Sequence, residues 1–78
     1  MKKLHYDRAI KFYNDLYEYE IQKGTKEKLT QVKLAELIKS NRVTLNNYKN
    51  GVSIKFDEIA DLVEGITGYP QSKFIEKL

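Results

Sequence analysis

Apolar residues recur at helical spacing in five stretches of the chain. In the longest, residues 3–22, they lie three and four positions apart, which is the period of one helix face. Its apolar residues are Tyr6, Ala9, Ile10, Tyr13, Leu16 and Tyr17. Similar patterns return at residues 31–38, 42–49, 56–66 and 70–78. Residues 52–56 allow a short strand, but no other segment offers a partner strand. The pattern therefore predicts an all-α fold of five helices.

Residues that start or stop helices divide these stretches. Thr30 and Asn41 suit the N-caps of the second and third helices, because their side-chain oxygens can accept from unpaired backbone N–H groups. Gly24 and Gly68 suit the left-handed backbone conformation that ends many helices. Pro70 suits the first turn of the last helix, where its missing N–H costs nothing. We expect one compact domain over residues 1–78.

Composition excludes several classes of function. The 78 residues are 41% hydrophobic, which is enough for one small core. With no cysteine and a single histidine, His5, neither a disulfide, a metal site nor a cofactor is expected. No apolar run is long enough to span a membrane, and the N-terminal MKKLHYDR has no signal-peptide hydrophobic region, so a cytoplasmic protein is expected. No catalytic constellation or glycine-rich phosphate loop is present, so no enzyme is expected.

Positive charge concentrates in the middle of the chain. Residues 29–55 contain five Lys or Arg and one acidic residue, whereas residues 56–78 contain two and five. A localised basic face is typical of a phosphate-binding surface. An ordinary solvated face is the alternative interpretation.

The sequence TQVKLAELIKSNRVTLNNYKNG, residues 30–51, resembles the helix-turn-helix of the Cro/phage-repressor (lambda-repressor-like, Xre) family. Thr30-Gln31 is similar to the family's opening, Asn50-Gly51 to its exit, and Ala35 supplies the small residue where the two helices cross. Lys39 and Ser40 depart from the pattern, since the family usually has glycine followed by an apolar residue there. The resemblance implies a compact lambda-repressor-like domain with the helix-turn-helix at helices 2 and 3.

A helix-turn-helix reads DNA with the N-terminal residues of its second helix in the major groove. Arg can donate two hydrogen bonds to guanine, Asn can pair with adenine and Val can contact a thymine methyl. The predicted base-reading residues are Asn41, Arg42, Val43, Asn46 and Asn47. Capping alone is the alternative for Asn41, and a phosphate contact is the alternative for Arg42.

Phosphate contacts are expected at the ends of the two helices. Thr30 and Gln31 begin the first of them, where backbone N–H groups favour anions. Lys49, Asn50 and Lys55 follow the reading helix. The resemblance implies phosphate binding at Gln31 and Asn50 in particular.

A domain of this size reads about one half-site, so a homodimer on a near-palindromic operator is expected. The candidate dimer residues are aromatic or aliphatic side chains of the first and last helices and of the segment before the last helix: Phe12, Tyr19, Tyr69, Phe74, Ile75 and Leu78. Core packing is the rival explanation for each of them.

The functional prediction is a sequence-specific double-stranded DNA-binding regulator, a repressor of the kind that phages and mobile elements use. The alternative is a protein-binding module, antitoxin-like or inhibitory, that keeps the helix-turn-helix as a scaffold. The five aromatic residues between positions 6 and 19 motivate that alternative.

Overall fold

A computed structural model of the chain describes residues 2–38 and 56–77. This part of the chain is mostly helical and carries one small antiparallel sheet. Its elements are, in order, β1 (Lys2–Leu4), α1 (Tyr6–Leu16), α2 (Glu18–Gln22), α3 (Gln31–Leu37), α4 (Phe56–Thr67), a 3₁₀ helix (Gln71–Lys73) and β2 (Ile75–Lys77). The predicted helix 42–49, the turn at Lys39-Ser40 and residues 52–55 lie outside the described residues.

The sheet corrects the all-α prediction at both ends of the chain. β1 pairs with β2 so that Leu4 opposes Ile75 and Lys3 opposes Glu76. The predicted start of a helix at residue 3 is therefore wrong, as is a last helix over 70–78. These two predictions fail because strand pairing is non-local. Leu4, which is fully buried, lies opposite Ile75 from the other end of the chain. Helical periodicity within either short segment cannot report such a partner.

The predicted helix over residues 3–22 is also interrupted in its C-terminal half. Tyr17, with φ −106° and ψ 21°, separates α1 from α2. Leu16, predicted to face the core, is 57% exposed at the end of α1. α2 buries none of its residues. The predicted apolar stripe thus contributes to the core only in its first part.

The core lies between α1, α3, α4 and the sheet. The buried apolar side chains are Leu4, Tyr6, Ala9, Leu29, Leu34, Ala35, Ile38, Phe56, Ile59, Ala60, Val63 and Phe74. They confirm most of the inward positions predicted for these helices. Leu37 and Leu62 are exceptions, since they are 49% and 40% exposed although the apolar pattern included them.

The predicted caps and stops are confirmed where the structure describes them. The Thr30 hydroxyl accepts a 3.2 Å hydrogen bond from the Lys33 backbone N–H at the start of α3. Gly24 and Gly68 have φ values of 79° and 74°, which is the left-handed conformation expected after a helix. Pro70 instead precedes the short 3₁₀ helix.

Candidate nucleic-acid interface

α3 presents two different surfaces. Leu34, Ala35 and Ile38 are buried against the rest of the domain. Val32 and Leu37 are about half exposed. The burial of Ala35 agrees with its predicted position on the inner face of this helix. The helix that it was predicted to cross is outside the described residues.

The N-terminus of α3 contains two predicted phosphate-binding residues. Thr30 is exposed and Gln31 is half-buried. The Thr30 hydroxyl oxygen accepts from Lys33, so its own hydrogen can still be donated to another group. Lys33 also forms an ion pair with Glu27, with 3.3 Å between Nζ and Oε2. The start of α3 is therefore held by its own cap and by a neighbouring ion pair.

Asn14 fixes the segment that leads into α3. Its side-chain amide donates to the Leu29 carbonyl oxygen and its side-chain oxygen accepts from the Leu29 N–H, both at 2.8 Å. Because Leu29 is buried, this pair of bonds satisfies backbone groups that water would not reach easily. Sequence reasoning missed this residue. The available signal was an Asn inside a helical pattern, where Asn is unfavourable unless its side chain finds a partner.

A lysine of the same segment lies against the aromatic face of α1. The Nζ atom of Lys26 is 3.5 Å from the centroid of the Tyr17 ring and 5.3 Å from that of Tyr13. These are distances at which cation–π attraction operates. The loop between α2 and α3 is thus anchored on α1 through Asn14 and through Lys26.

An open groove of about 410 Å³ separates α1 from the start of α3. Lys28 and Gln31 line one side, and Lys11 and Asp15 are among the residues on the other. Asp15 lies 2.5 Å from Lys11, and this hydrogen bond raises the pKa of the Lys11 ammonium above its ordinary value. Lys11 is thus paired with Asp15, and Lys28 is an exposed residue of the groove lining.

The aromatic residues predicted for a dimer surface mostly contact one another within the chain. Tyr69 stacks on Phe12 with ring centroids 4.7 Å apart and on Phe74 at 6.2 Å. Phe74 is fully buried and Ile75 packs against the core. Core packing, the rival explanation for Phe74, accounts for the burial of its ring within the single chain, and its place in a dimer interface stays a prediction. Tyr19 remains 67% exposed.

The remaining predicted site residues lie outside the described part of the chain. They are Asn41, Arg42, Val43, Asn46, Asn47, Lys49, Asn50, Lys55 and, of the dimer set, Leu78. Their assignments stay predictions.

Among residues 2–38 and 56–77, no three acidic or histidine side chains lie close enough together to hold a metal ion. Within the same residues, no helix is both long and apolar enough to cross a bilayer.

Comparisons with known proteins found no match among protein-family models, curated proteins or solved structures.

Proposed function

We propose that the protein is a sequence-specific double-stranded DNA-binding regulator of the helix-turn-helix type. The observation that carries the proposal is α3, which has the Thr30 cap, the buried Leu34 and Ala35, and Gln31 at its start. These are the features that the first helix of such a motif requires. The strongly basic composition of residues 29–55, five Lys or Arg against one acidic residue, adds the charge that a phosphate backbone attracts.

In this mechanism residues 42–49 form the helix that enters the major groove, and α3 lies across the backbone. Arg42 and Asn47 are the first candidates for direct base contacts, followed by Val43 and Asn46. Gln31 at the start of α3 would bind a phosphate and fix the depth of the reading helix. Phosphate contacts of this kind set orientation, while the base contacts supply specificity.

The operator is proposed to be a near-palindrome bound by two copies. One copy reads few bases, so two half-sites about 34 Å apart would be needed for a specific site. As a phage-type repressor, the dimer would act by occupying DNA that transcription requires.

The decisive experiment is selection of bound duplexes from a random pool, followed by measurement of the mass of the complex. We expect one enriched, near-palindromic sequence and a complex with two protein copies. Affinity for it should fall by orders of magnitude between about 50 and 200 mM salt, because several phosphate contacts release counterions. If no sequence is enriched, the proposal is wrong.

A protein-binding function is the second candidate, and the surface at the α1–α2 junction favours it. Leu16 and Tyr19 are three positions apart and are both more than half exposed, although the described residues pack many other apolar side chains inside. Contiguous exposed apolar patches mark protein-recognition surfaces, and tyrosine is enriched among the residues that dominate binding there. Leu16→Ala should abolish partner binding and leave DNA binding unchanged if this candidate is right. Leu62→Ala, another exposed apolar residue, is the matched control.

A further inference from the structure

Three apolar side chains form a stripe along the outer side of α1 and α2, which we call the α1–α2 stripe. They are Phe12, Leu16 and Tyr19, spaced by four and three positions on one side of the helix. Leu16 and Tyr19 are 57% and 67% exposed, and Phe12 is half-buried. The interruption at Tyr17 leaves them on one side, because Tyr17 still donates and accepts backbone hydrogen bonds of the helical pattern, at 3.1 and 2.9 Å.

The two ends of the α1–α2 stripe carry opposite charges. Arg8 lies one turn before Phe12, and Glu20 lies one turn after Leu16. Both charged side chains are exposed, and within the described residues neither takes part in an ion pair. The helix between them places them about 18 Å apart along its axis, so they cannot pair with each other in one chain. An ion pair between these two residues therefore requires two chains.

The exposed ring at the end of the stripe is already held in place. The Nζ atom of Lys23 lies 4.8 Å from the centroid of the Tyr19 ring, which is a distance for cation–π attraction. A side chain that is ordered before binding loses less conformational entropy when a partner covers it. The ring of Tyr19 is therefore suited to a contact between molecules.

The order of these residues along the helix is complementary to itself. In an antiparallel pair of copies about a two-fold axis at the level of position 14, Arg8 of one copy faces Glu20 of the other. The same register brings Phe12 opposite Leu16. One arrangement thus matches both the charges and the apolar residues, and the symmetry forms each contact twice. A parallel arrangement would instead place each charge beside its own copy.

We propose that a second copy of this chain covers the α1–α2 stripe, with the two helical segments antiparallel about this two-fold axis. The inference rests on the proposed function, because it assigns the surface through which two copies on a near-palindromic operator touch. Burial of Leu16 and Tyr19 supplies the attraction, since removing apolar area from water is favourable. The pairs between Arg8 and Glu20 fix the register and exclude the parallel arrangement.

The small size of the stripe implies a weak dimer in the absence of DNA. Stable interfaces bury about 1,200–2,000 Å² in total and use about 20–30 residues on each side, far more than the stripe offers. Two copies on adjacent half-sites have a high effective concentration relative to each other, so a weak contact is sufficient to make their binding cooperative.

The test measures self-association without DNA, by sedimentation equilibrium at up to about 1 mM protein, the effective concentration typical of linked sites. We expect the wild type to form a reversible dimer. Glu20→Arg should weaken that dimer about tenfold, because both symmetric contacts change from attraction to repulsion. Arg8→Glu should weaken it similarly. Since Arg8 also attracts the Glu76 carboxylate, the melting temperature of each variant checks its fold.

Mixing the two variants distinguishes a contact between copies from an effect within one copy. In a mixed dimer of Arg8→Glu and Glu20→Arg, both contacts again join an acidic and a basic side chain. The mixture should therefore associate about as strongly as the wild type, whereas each variant alone stays about tenfold weaker. A fluorescent label on Arg8→Glu alone reports the mixed dimer during sedimentation.

Glu58→Arg is the matched control, because it reverses an exposed glutamate on α4 and changes the net charge by the same amount. It should dimerise like the wild type. When it is mixed with labelled Arg8→Glu, association should stay below the wild-type level, because its own Glu20 still meets an acidic side chain.

Each outcome decides the proposal. Recovery with Glu20→Arg but not with Glu58→Arg supports the dimer contact. Absence of recovery overturns it, even if the wild type is a dimer. A wild type that stays monomeric also overturns it and leaves the stripe to another protein, as the second candidate function requires. If the dimer forms by this contact but binds no duplex, the contact stands and the proposed function is wrong.

Discussion

Asn14 is the side chain in the described residues that most directly connects the packing of the domain to the start of α3. Its two hydrogen bonds hold the backbone of Leu29 just before the Thr30 cap. The position of α3 therefore depends on a polar contact from α1 as well as on the burial of Leu34. Asn14 therefore helps to set where the start of α3, and with it Gln31, lies.

Asn14→Ala should lower the free energy of unfolding by about 1–3 kcal/mol, since it leaves a partly buried donor and acceptor unpaired. Urea denaturation measures this difference. Gln22→Ala is the control, because Gln22 forms only an exposed 3.3 Å hydrogen bond to Glu18 and its loss should cost little. Equal, small effects of the two substitutions would contradict the role given to Asn14.

The Thr30 cap is a second prediction at the scale of single residues. Thr30→Ala should cost about 1 kcal/mol, because the Lys33 N–H loses its acceptor, while Thr30→Ser should keep most of that stability. The same denaturation curves provide the measurement. If serine does no better than alanine, the hydroxyl is not what stabilises the start of α3.

Among the elements, the sheet differs most from what the sequence predicted. Caps such as Thr30 and stops such as Gly24 act within a few residues, so local pattern was sufficient to find them. Pairing of Leu4 with Ile75 depends on two segments at opposite ends of the chain, and no local pattern contains that information. For Asn14 a local signal existed, an Asn inside a helical pattern, but its partner Leu29 lies 15 positions away and could not be identified from it. For the candidate site, the helix predicted over residues 31–38 is confirmed as α3 with its Thr30 cap, and the assignments at 41–50 and 55 stay predictions.

The hydrogen bond between His5 and Glu76 of β2 should depend on pH. A hydrogen bond from His5 holds the pKa of the Glu76 carboxyl below its ordinary value of about 4.5. An ionised carboxylate can only accept, so the His5 Nε2–H is the donor. Because the folded-state pKa is lowered, the stabilisation is fully present above pH 4.5 and is lost as the pH falls through the folded-state value.

Glu76→Gln should therefore destabilise the protein near neutral pH and have a smaller effect in acid. Thermal melts of both proteins from neutral pH to below the ordinary pKa of Glu provide the measurement. Glu36→Gln, which removes an exposed carboxylate on α3, controls for net charge. A difference between wild type and Glu76→Gln that does not shrink on acidification would exclude this bond as its source.

At the scale of the whole molecule, the same aromatic residues cannot serve fully both as core and as dimer surface. Phe74 is fully buried, and its neighbour Tyr69 also stacks on Phe12 of α1. Phe74 thus helps to complete the core that the described residues form, and a core this small leaves little stability to spare. The exposed residues Leu16 and Tyr19 are the better candidates for contacts with other molecules.

Phe74→Ala distinguishes these two roles. Truncating a buried phenylalanine costs about 3–5 kcal/mol, which approaches the total stability of about 5–15 kcal/mol of an ordinary domain. We expect the variant to lose its cooperative melting transition or to melt far below the wild type, as followed by circular dichroism. Tyr19→Ala, which removes an exposed ring, should melt close to the wild type.

If Phe74→Ala instead gives a stably folded monomer where the wild type is a dimer, as measured by sedimentation, its ring belongs to an interface between subunits. Phe74 belongs to the same buried cluster as Leu4 and Val63, which argues for the first result, because a ring that forms a dimer contact would be exposed in the isolated chain.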